Sequence, residues 1–383
     1  MGLIFPIRIC IKSVARSLLL AVVAAGTIAG AGENVSAGTT DFSNLVERAH
    51  GILARDTAKA PGLAAAIAID GKIVWSDAVG YAEIEAKTPV TTTTRFRIGS
   101  VSKPLTAAGL MLMVERGQLD LDAPVQKYVP DFPVKPEGAI TTRLAAGHLA
   151  GIRHYRGDET RLNRPFASIR DGLKIFENDP LLSAPGTKFS YSTYSWSLVS
   201  AVMESASGRE FLEFMDAEVF KPLKMDHTRA DRAGVEDAER THFYKKQTDG
   251  KIVGAEPINS SYKWAGGGFL STAEDLARFG SALLEPGFLS DDSRQLLFTS
   301  QHTLDGKPTG NGIGWFVRKD KNGRPFYYHT GGQQGATTSI YLQPDRRLVV
   351  VLLCNLSEAD VFGEGKELGE LFEQATNELQ VAH

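Results

Sequence analysis

The sequence has little cysteine: only Cys10 and Cys354 occur among its 383 residues. Cys10 lies in an N-terminal segment that we expect to be removed, so Cys354 has no second cysteine with which to form an intramolecular disulfide. Cys354 ends the apolar run 348–354, where a cysteine acts as a small hydrophobic residue. The sequence therefore predicts neither a disulfide framework nor cysteine catalysis.

Long runs of like charge are also missing. The formal net charge is -3, with 23% charged and 43% hydrophobic residues. Without a basic stripe to neutralise phosphates, a nucleic-acid partner is not expected. The composition is that of a globular protein, and the length fits either about two domains of ~150 residues or one core with an insertion.

The N-terminal apolar run, Leu18–Ala29, is shorter than the ~20 residues that a membrane-spanning helix needs. Arg8, Lys12 and Arg16 precede it and small residues follow it. This pattern predicts a signal or targeting segment at residues 1–37 and an exported protein, periplasmic or secreted. A mitochondrial presequence and an uncleaved N-terminal membrane anchor are the alternatives. We expect membrane contact only through this segment.

Two common catalytic motifs are absent: Gly-x-Ser-x-Gly of the α/β-hydrolases and His-Glu-x-x-His of the zinc proteases. The histidines do not have the spacing of metal ligands, so we expect neither a metal nor another cofactor. A Ser-His-Asp triad with Ser100 and His329 stays open, because geometry and not spacing defines a triad. The scattered histidines are His148, His154, His227, His242 and His302.

Strand patterns occur at both ends of the chain. Asp70-Gly71 lies between two strand-like runs and predicts a hairpin. Helical signals dominate residues 120–288. This order predicts one α/β (α+β) core, residues 41–380, that is split by a helical insert. The predicted strands are 63–69, 72–76, 313–317, 325–328, 336–342 and 347–354, and the terminal helices are 41–58 and 364–379.

Two helices of the insert have boundary signals. The helix at 196–206 is followed by Gly208, a residue typical of helix C-termini. Ser271 and Glu274 have the spacing of a capping box, which predicts a helix that starts after Ser271.

Ser100 and Lys103 are the strongest catalytic candidates. A serine hydroxyl needs a neighbouring base, and residues three apart share one face of a helix. The same Ser-x-x-Lys pattern recurs at Ser260 and Lys263, so spacing alone is weak evidence. Ser100 follows a strand-like segment and opens an apolar helix whose N-terminal amides can face an oxyanion, whereas Ser260 lies in a loop-like stretch.

Three segments resemble the motifs of serine β-lactamases, DD-peptidases and related esterases: Phe96–Lys103, Pro185–Thr193 and His329–Gly332. Residues 151–155 and 259–272 are similar to stretches of the mitochondrial-type branch. The resemblance implies a β-lactamase/transpeptidase-like fold, an antiparallel sheet flanked by helices with an all-helical inserted subdomain. It also implies a small-molecule or peptide substrate.

The resemblance further implies an acyl-enzyme mechanism. Ser100 attacks an acyl carbonyl, and Lys103 and Tyr191 accept its proton and pass it to the leaving group. The backbone N–H groups of Ser100 and Gly332 form the oxyanion hole. The remaining substrate-binding residues are Thr193, His329, Thr330 and Gly331.

Two positions depart from the family pattern. Thr193 replaces the usual asparagine of the second motif, and His329 replaces the usual lysine of the third. Because histidine has an ordinary pKa of ~6.5, His329 attracts a substrate carboxylate less strongly at neutral pH. We therefore predict cleavage of a peptide or ester bond. A β-lactamase or DD-carboxypeptidase proper, and a non-catalytic scaffold with the same fold, are the alternatives.

Overall fold

A computed structural model describes the backbone of residues 36–55 and 60–381, and the side chains of 43–55 and 60–375. The predicted targeting segment lies outside these residues, except for its last two positions. The chain divides into a short unit, Met1–Ser43, and a large unit, Asn44–His383, which is described below. Within the described ranges, no helix is both long and apolar enough to cross a membrane.

Most of the described strands belong to one sheet that is built from both ends of the chain. The strands are β1 (Gly62–Ile69), β2 (Lys72–Glu83), β3 (Thr88–Pro89), β4 (Phe96–Arg97), β5 (Arg229–Ala230), β6 (Tyr244–Lys246), β7 (Ile252–Gly254), β8 (Phe269–Ser271), β9 (Phe316–Lys319), β10 (Pro325–Gln333), β11 (Ala336–Gln343) and β12 (Leu348–Cys354).

Helices fill much of the sequence between the two groups of sheet strands. The α-helices of the described residues are α1 (Ser36–Arg55), α2 (Ser102–Glu115), α3 (Thr142–Ala146), α4 (Ile169–Leu173), α5 (Thr193–Ser207), α6 (Phe211–Met215), α7 (Trp264–Gly267), α8 (Ala273–Leu284), α9 (Asp291–Phe298) and α10 (Val361–Val381).

The main sheet has seven antiparallel strands in the order β3-β2-β1-β12-β11-β10-β9. Its central pair joins β1 to β12, with Leu63 opposite Cys354 and Ile69 opposite Leu348. All seven residues of β12 are buried, as its continuous apolar run predicts. Strands from the two ends of the chain's described part thus meet in the middle of one sheet.

Helices cover both faces of this sheet. Alternate residues of β1 enter different hydrophobic clusters, since successive side chains of a strand point to opposite faces. One cluster contains Leu63, Ala65 and Ile67 with apolar residues of α1 and α10. The other contains Ala64, Ala66 and Ala68 with residues of α2, α5 and α8. The antiparallel sheet flanked by helices is the predicted architecture.

The hairpin between β1 and β2 is confirmed. Asp70 and Gly71 have φ values of 51° and 76°, as the two central residues of a type I′ turn require. The predicted strands at 325–328, 336–342 and 347–354 lie within β10, β11 and β12, and the helix at 196–206 lies within α5. Gly208 ends α5 in a left-handed conformation, with φ 65°.

The insert is not all-helical, which corrects one prediction. Residues 120–288 also contain the short strands β5, β6, β7 and β8. The strand β8 pairs with β4, so that Phe96 lies opposite Ser271 and Arg97 opposite Leu270. Strands of two or three residues are too short to show a period of two in the sequence, which is why the pattern did not reveal them.

Two boundaries also differ from the prediction. The cap of α8 is Thr272, whose hydroxyl accepts a hydrogen bond from the Asp275 N–H at 3.2 Å, while Ser271 ends β8. The strand predicted at 313–317 begins only at Phe316. Gly314 has φ 78°, which interrupts extended backbone before that point.

Candidate active site

Ser100 lies in a sharp turn between β4 and α2. Gly99 has φ 49°, and Gly99–Val101 form a single 3-10 turn that leads into α2. Strand β10 packs against this turn so closely that a Cβ on Gly331 would lie 2.0 Å from the carbonyl oxygen of Ile98. Only glycine fits at 331, and its close approach brings the third motif to the serine.

The Lys103 amine contacts Ser100. Its Nζ lies 3.0 Å from Ser100 Oγ, 2.6 Å from the Gly266 carbonyl oxygen and 3.2 Å from Thr193 Oγ1. The Lys103 side chain is 0% exposed. A neutral amine has two N–H donors and one lone pair. Gly266 and Thr193 accept the two donors, which leaves the lone pair for the Ser100 hydroxyl.

The environment of Lys103 favours the uncharged form of its amine. Burial lowers its pKa well below the usual range, and the positive charge of Lys263 lowers it further. No carboxylate among the described residues forms an ion pair with Lys103 to oppose this shift. The deprotonated amine is the form that can take the proton of Ser100.

Tyr191 is the third member of the group. Lys103 Nζ lies 4.9 Å from the centroid of its ring, and its hydroxyl lies near enough to Ser100 for that serine to influence its pKa. Burial raises the pKa of Tyr191, and the influence of Ser100 only partly opposes that rise. Tyr191 is therefore a neutral phenol at physiological pH. It can donate and relay a proton, but Lys103 is the better base.

Three histidines surround the Tyr191 ring. The ring centroids of His148, His154 and His329 lie 4.4, 5.6 and 6.3 Å from its centroid. Burial, followed by the charge of Lys103, lowers all three pKa values: well below the usual range for His148, to about 4 for His154 and to about 3 for His329. All three rings are neutral at physiological pH.

Their hydrogen bonds assign the tautomers. His154 Nδ1 accepts from the Thr193 N–H at 3.2 Å, so its proton is on Nε2. His329 Nδ1 lies 2.7 Å from the Thr330 carbonyl oxygen, which only accepts, so Nδ1 of His329 carries the proton. Among the described residues no hydrogen bond joins His329 to Ser100, and a Ser-His-Asp triad therefore has no support.

Thr193 supports the lysine. It is the first residue of α5, and the preceding Ser192 caps this helix by accepting a hydrogen bond from the Ser195 N–H at 3.1 Å. The cap fixes the position of Thr193, whose hydroxyl accepts from Lys103 Nζ. The departure from the family's second motif thus places a hydroxyl against the base.

The backbone of Gly332 lies beside the serine turn. A Cβ built on Gly99 would lie 3.0 Å from the Gly332 nitrogen, whereas a Cβ on Gly332 itself would meet nothing within 4 Å. Gly332 and Ser100 both line one cavity. Gly332 thus lies beside Ser100 at the cavity wall, and the oxyanion hole that the resemblance implies for their N–H groups stays a prediction.

That cavity has a volume of about 1020 Å³. Close to Ser100 its wall contains His154, Thr193, Lys263 and Gly266, and farther out it contains charged residues of both signs. Ser100 is therefore accessible to a ligand, as a nucleophile must be.

Ser260 has a different environment. Its side chain is 0% exposed, and its hydroxyl accepts a hydrogen bond from Gln333 Nε2 at 3.2 Å. Ser260 does not line the cavity, although Lys263 does. The second Ser-x-x-Lys pattern therefore does not form a second nucleophile and base.

A family model described as "Beta-lactamase" matches residues 43–371 of the chain. The chain belongs to the beta-lactamase family. Its fold is accordingly the β-lactamase/transpeptidase-like fold, in a family whose members include serine hydrolases.

Relatives of known sequence and structure agree with this assignment. "Serine beta-lactamase-like protein LACTB, mitochondrial" from Homo sapiens is 30% identical, over 82% of this chain and 77% of the relative. "Penicillin-binding protein 4*" from Bacillus subtilis is 26% identical, over 75% of this chain and 66% of the relative. The D-amino acid amidase from Ochrobactrum anthropi SV3 shares the fold, with a TM-score of 0.75, 20% identity and coverage of 88% and 99%.

Sequence reasoning missed several members of the site of this beta-lactamase-family protein. His148 and His154 carry no motif, and only folding brings them to Tyr191. Gly266 contributes a backbone carbonyl, a group that no residue identity can reveal. Lys263 was noted only as part of a competing pattern, and the aromatic residues beside it gave no signal.

One cluster in the described part of the chain has the composition of a metal site. Oxygen atoms of Glu83 and Glu85 and a ring nitrogen of His242 lie within 4.8 Å of one another. Glu85 and His242 are exposed, and none of the three lines the cavity around Ser100. The cluster therefore plays no part in the chemistry described below.

Proposed function

We propose that this protein is a serine hydrolase that forms an acyl-enzyme on Ser100 and cleaves a peptide (amide) or ester bond. The observation that carries the proposal is the contact of 3.0 Å between Ser100 Oγ and the buried Lys103 Nζ, whose pKa burial lowers. A serine hydroxyl next to an uncharged amine is an activated nucleophile.

Acylation begins with transfer of the Ser100 proton to the Lys103 lone pair. Ser100 Oγ then attacks the acyl carbonyl carbon, and the carbonyl oxygen becomes an oxyanion. The N–H groups of Ser100 and Gly332 stabilise this negative charge. Removal of one such donor from an oxyanion hole typically costs about 10²- to 10³-fold in kcat.

Tyr191 completes the proton path. Its ring lies beside the Lys103 amine, with the ring centroid 4.9 Å from Nζ, and Ser100 influences its pKa. It passes a proton to the leaving amine or alcohol while it receives the proton that Lys103 took from Ser100, so the tetrahedral intermediate collapses to the acyl-enzyme. Water then attacks the acyl carbonyl with Lys103 again as base, and Ser100 recovers its proton.

Mass spectrometry of the intact protein tests the proposal. After exposure to a fluorophosphonate, the wild type gains one adduct that maps to Ser100, and the variant Ser100→Ala gains none. Ser260→Ala is the matched control and labels like the wild type, because Ser260 is buried away from the cavity. An unlabelled wild type, or labelling that persists in Ser100→Ala, overturns the proposal.

A β-lactamase or DD-carboxypeptidase proper is the second candidate. The fold favours it, but the neutral His329 supplies no positive charge for a substrate carboxylate at the third motif. Exposure to a penicillin, followed by a panel of p-nitrophenyl esters, short peptides and a chromogenic cephalosporin, separates these activities. A non-catalytic scaffold is the third candidate, and it takes up no adduct and hydrolyses no member of the panel.

The location of the protein is a separate proposal: it is exported, to the periplasm or outside the cell, through a segment within residues 1–37. A mitochondrial location is the alternative, and the mitochondrial relative described above supports it. N-terminal sequencing of the protein from fractionated native cells decides between them. Recovery of an uncut chain in the soluble cytoplasm contradicts both.

A further inference from the structure

Lys263 is a second buried lysine in the cavity around Ser100. Its side chain is only 4% exposed, and the residue lines the cavity wall. Within the described part of the chain, its amine has no hydrogen-bond acceptor and no carboxylate oxygen within 4.0 Å. Because Nζ is not among the enclosed polar atoms that lack a partner, the amine opens into the cavity, where a ligand can reach it.

The contacts of α7 place Lys263 close to the reacting serine. The Lys263 carbonyl accepts hydrogen bonds from the N–H groups of Gly266 and Gly267, at 3.0 and 2.9 Å. The Gly266 carbonyl in turn accepts from Lys103 Nζ. One helical turn therefore separates Lys263 from Gly266, whose carbonyl oxygen contacts the Lys103 amine.

Aromatic rings and a distant ion pair surround the Lys263 amine. Its Nζ lies 5.7 Å from the Tyr155 ring centroid and 5.2 Å from the Tyr262 ring centroid. The buried carboxylate of this region, Asp231, is engaged by Arg97 Nε at 2.7 Å. Both rings lie beside the amine. Asp231 pairs with Arg97 and Arg240 and forms no hydrogen bond to Lys263, although its Oδ1 has no hydrogen-bond partner.

Another buried lysine, Lys135, has an amine whose hydrogen bonds are satisfied within the protein. Lys135 is 9% exposed, and its Nζ donates to the carbonyl oxygens of Glu177 and Asp179. Lys135 does not line the cavity. Burial alone therefore does not distinguish Lys263, whereas the combination of burial, cavity exposure and a missing partner does.

We propose that Lys263 is the anion-binding residue of this site and pairs with a carboxylate that the substrate carries near the bond to be cleaved. The inference rests on the proposed hydrolase function. His329, at the position of the usual motif lysine, is neutral, so Lys263 supplies positive charge that the third motif lacks. A substrate carboxylate gives the buried amine the partner that the protein does not provide.

A matched pair of substrates tests this assignment: 4-nitrophenyl hydrogen adipate, which carries a carboxylate, and 4-nitrophenyl methyl adipate, in which that group is a neutral ester. The wild type prefers the acid in kcat/KM, mainly through a lower KM. In Lys263→Met the ratio of acid to ester falls about 10- to 100-fold, the usual size of a hydrogen bond to a charged group. Lys263→Arg retains most of the preference.

The ratio of kcat/KM for the acid to that for the ester is the informative quantity. Lys263 also lowers the pKa of Lys103, and the loss of that effect changes the rates of both substrates alike. Lys135→Met is the matched control and leaves the ratio unchanged, with melting temperatures as the measure of folding. An equal loss for both substrates in Lys263→Met, or a wild type that does not distinguish them, overturns the assignment.

Binding to Ser100→Ala separates this inference from the hydrolase proposal. Calorimetry with 4-nitrophenyl hydrogen adipate gives a dissociation constant that does not depend on turnover. We expect a value about 10- to 100-fold weaker in the double variant with Lys263→Met. If the wild type is inactive but this difference is found, the anion site stands and the hydrolase proposal fails. Equal affinities sink the anion site, whatever the activity.

Discussion

The Ser-x-x-Lys pattern occurs twice in the chain, and the two copies have different structures. Ser100 and Lys103 lie on the 3-10 turn and helix that follow β4, and their side-chain atoms are 3.0 Å apart. Ser260 and Lys263 precede α7, and no hydrogen bond joins their side chains. Ser260 bonds to Gln333, while Lys263 faces the cavity between two tyrosines.

The difference shows what the pattern needs in order to become a catalytic pair. Helical backbone places residues three apart on one face, so the Lys103 amine returns to the serine. In the second copy the backbone is not helical between the two residues, and the side chains diverge. Lys263 nevertheless lines the cavity wall together with Gly266, whose carbonyl oxygen accepts a hydrogen bond from Lys103 Nζ.

The largest expected effect separates the two serines. We expect Ser100→Ala to lower kcat by roughly 10⁴- to 10⁶-fold, as removal of a nucleophile does in other serine hydrolases. Ser260→Ala retains activity within a few-fold, because its hydroxyl bonds only to Gln333. Steady-state kinetics on the best ester of the panel measures both. Comparable losses in the two variants would break the comparison.

The two lysines are expected to differ next. Lys103→Met removes the base and lowers kcat by about 10²- to 10⁴-fold for every substrate, charged or neutral. Lys263→Met changes mainly the ratio of kcat/KM for the acid substrate to kcat/KM for the ester substrate. The measurement is kcat and KM for both adipate substrates with both variants. A Lys103→Met enzyme with nearly normal kcat would transfer the role of base to Tyr191.

The preference for the anionic substrate depends on pH. Burial, followed by the charge of Arg97, lowers the pKa of Lys263 to about 7, and Asp231 opposes this shift. A lysine is charged below its pKa, so the ratio of acid to ester is largest below pH 7 and falls as the pH rises above it. The other titratable groups around this amine are Lys103, His154, Tyr155 and Tyr262.

This pH dependence is read from kcat/KM for the two adipates between about pH 6 and pH 9, where the substrate carboxylate stays ionised. Lys263→Met serves as the control and shows a flat ratio, because it has no amine to titrate. A wild-type ratio that is constant over the range contradicts the role of Lys263.

The smallest expected effect concerns the hydroxyl of Thr193, which Lys103 of the first Ser-x-x-Lys copy contacts. Thr193→Val removes the acceptor for Lys103 at 3.2 Å, and we expect a decrease of about 2- to 10-fold in kcat, the range of one neutral hydrogen bond. Thr193→Ser keeps the hydroxyl and stays close to wild type. If Val and Ser behave alike, Thr193 does not hold the amine in place.

Much of the sheet was predictable, and the reasons are local. The Asp70-Gly71 turn and the apolar run of β12 carry their conformations in their own residues. The short strands β5 to β8 were missed: β5 and β8 depend on partners distant in the chain, and β6 and β7, which pair with each other, are too short to show a period of two. The strand predicted to begin at residue 313 begins only at Phe316, since Gly314 adopts a positive φ that the apolar pattern cannot show.

The site was predictable where the family motifs name its residues. The resemblance assigned roles to Ser100, Lys103 and Tyr191, which stay predictions; the structure places Lys103 Nζ beside Ser100 Oγ and beside the Tyr191 ring. His154 and Lys263 were not predicted as site residues, because they lie in different segments and only folding places both on the wall of the cavity around Ser100.

By itself, the sequence determined the Asp70-Gly71 hairpin, the apolar strand β12 and the first Ser-x-x-Lys pair, because each is a property of a short segment. The antiparallel arrangement of the sheet and the departures at Thr193 and His329 came from the resemblance to the family. The tertiary structure decided which serine is accessible, since burial of Ser260 depends on Gln333 from another strand. It also decided that the pKa of Lys103 is lowered and that Lys263 lines the cavity. Both results come from burial and from charges distant in the chain, which no local pattern contains.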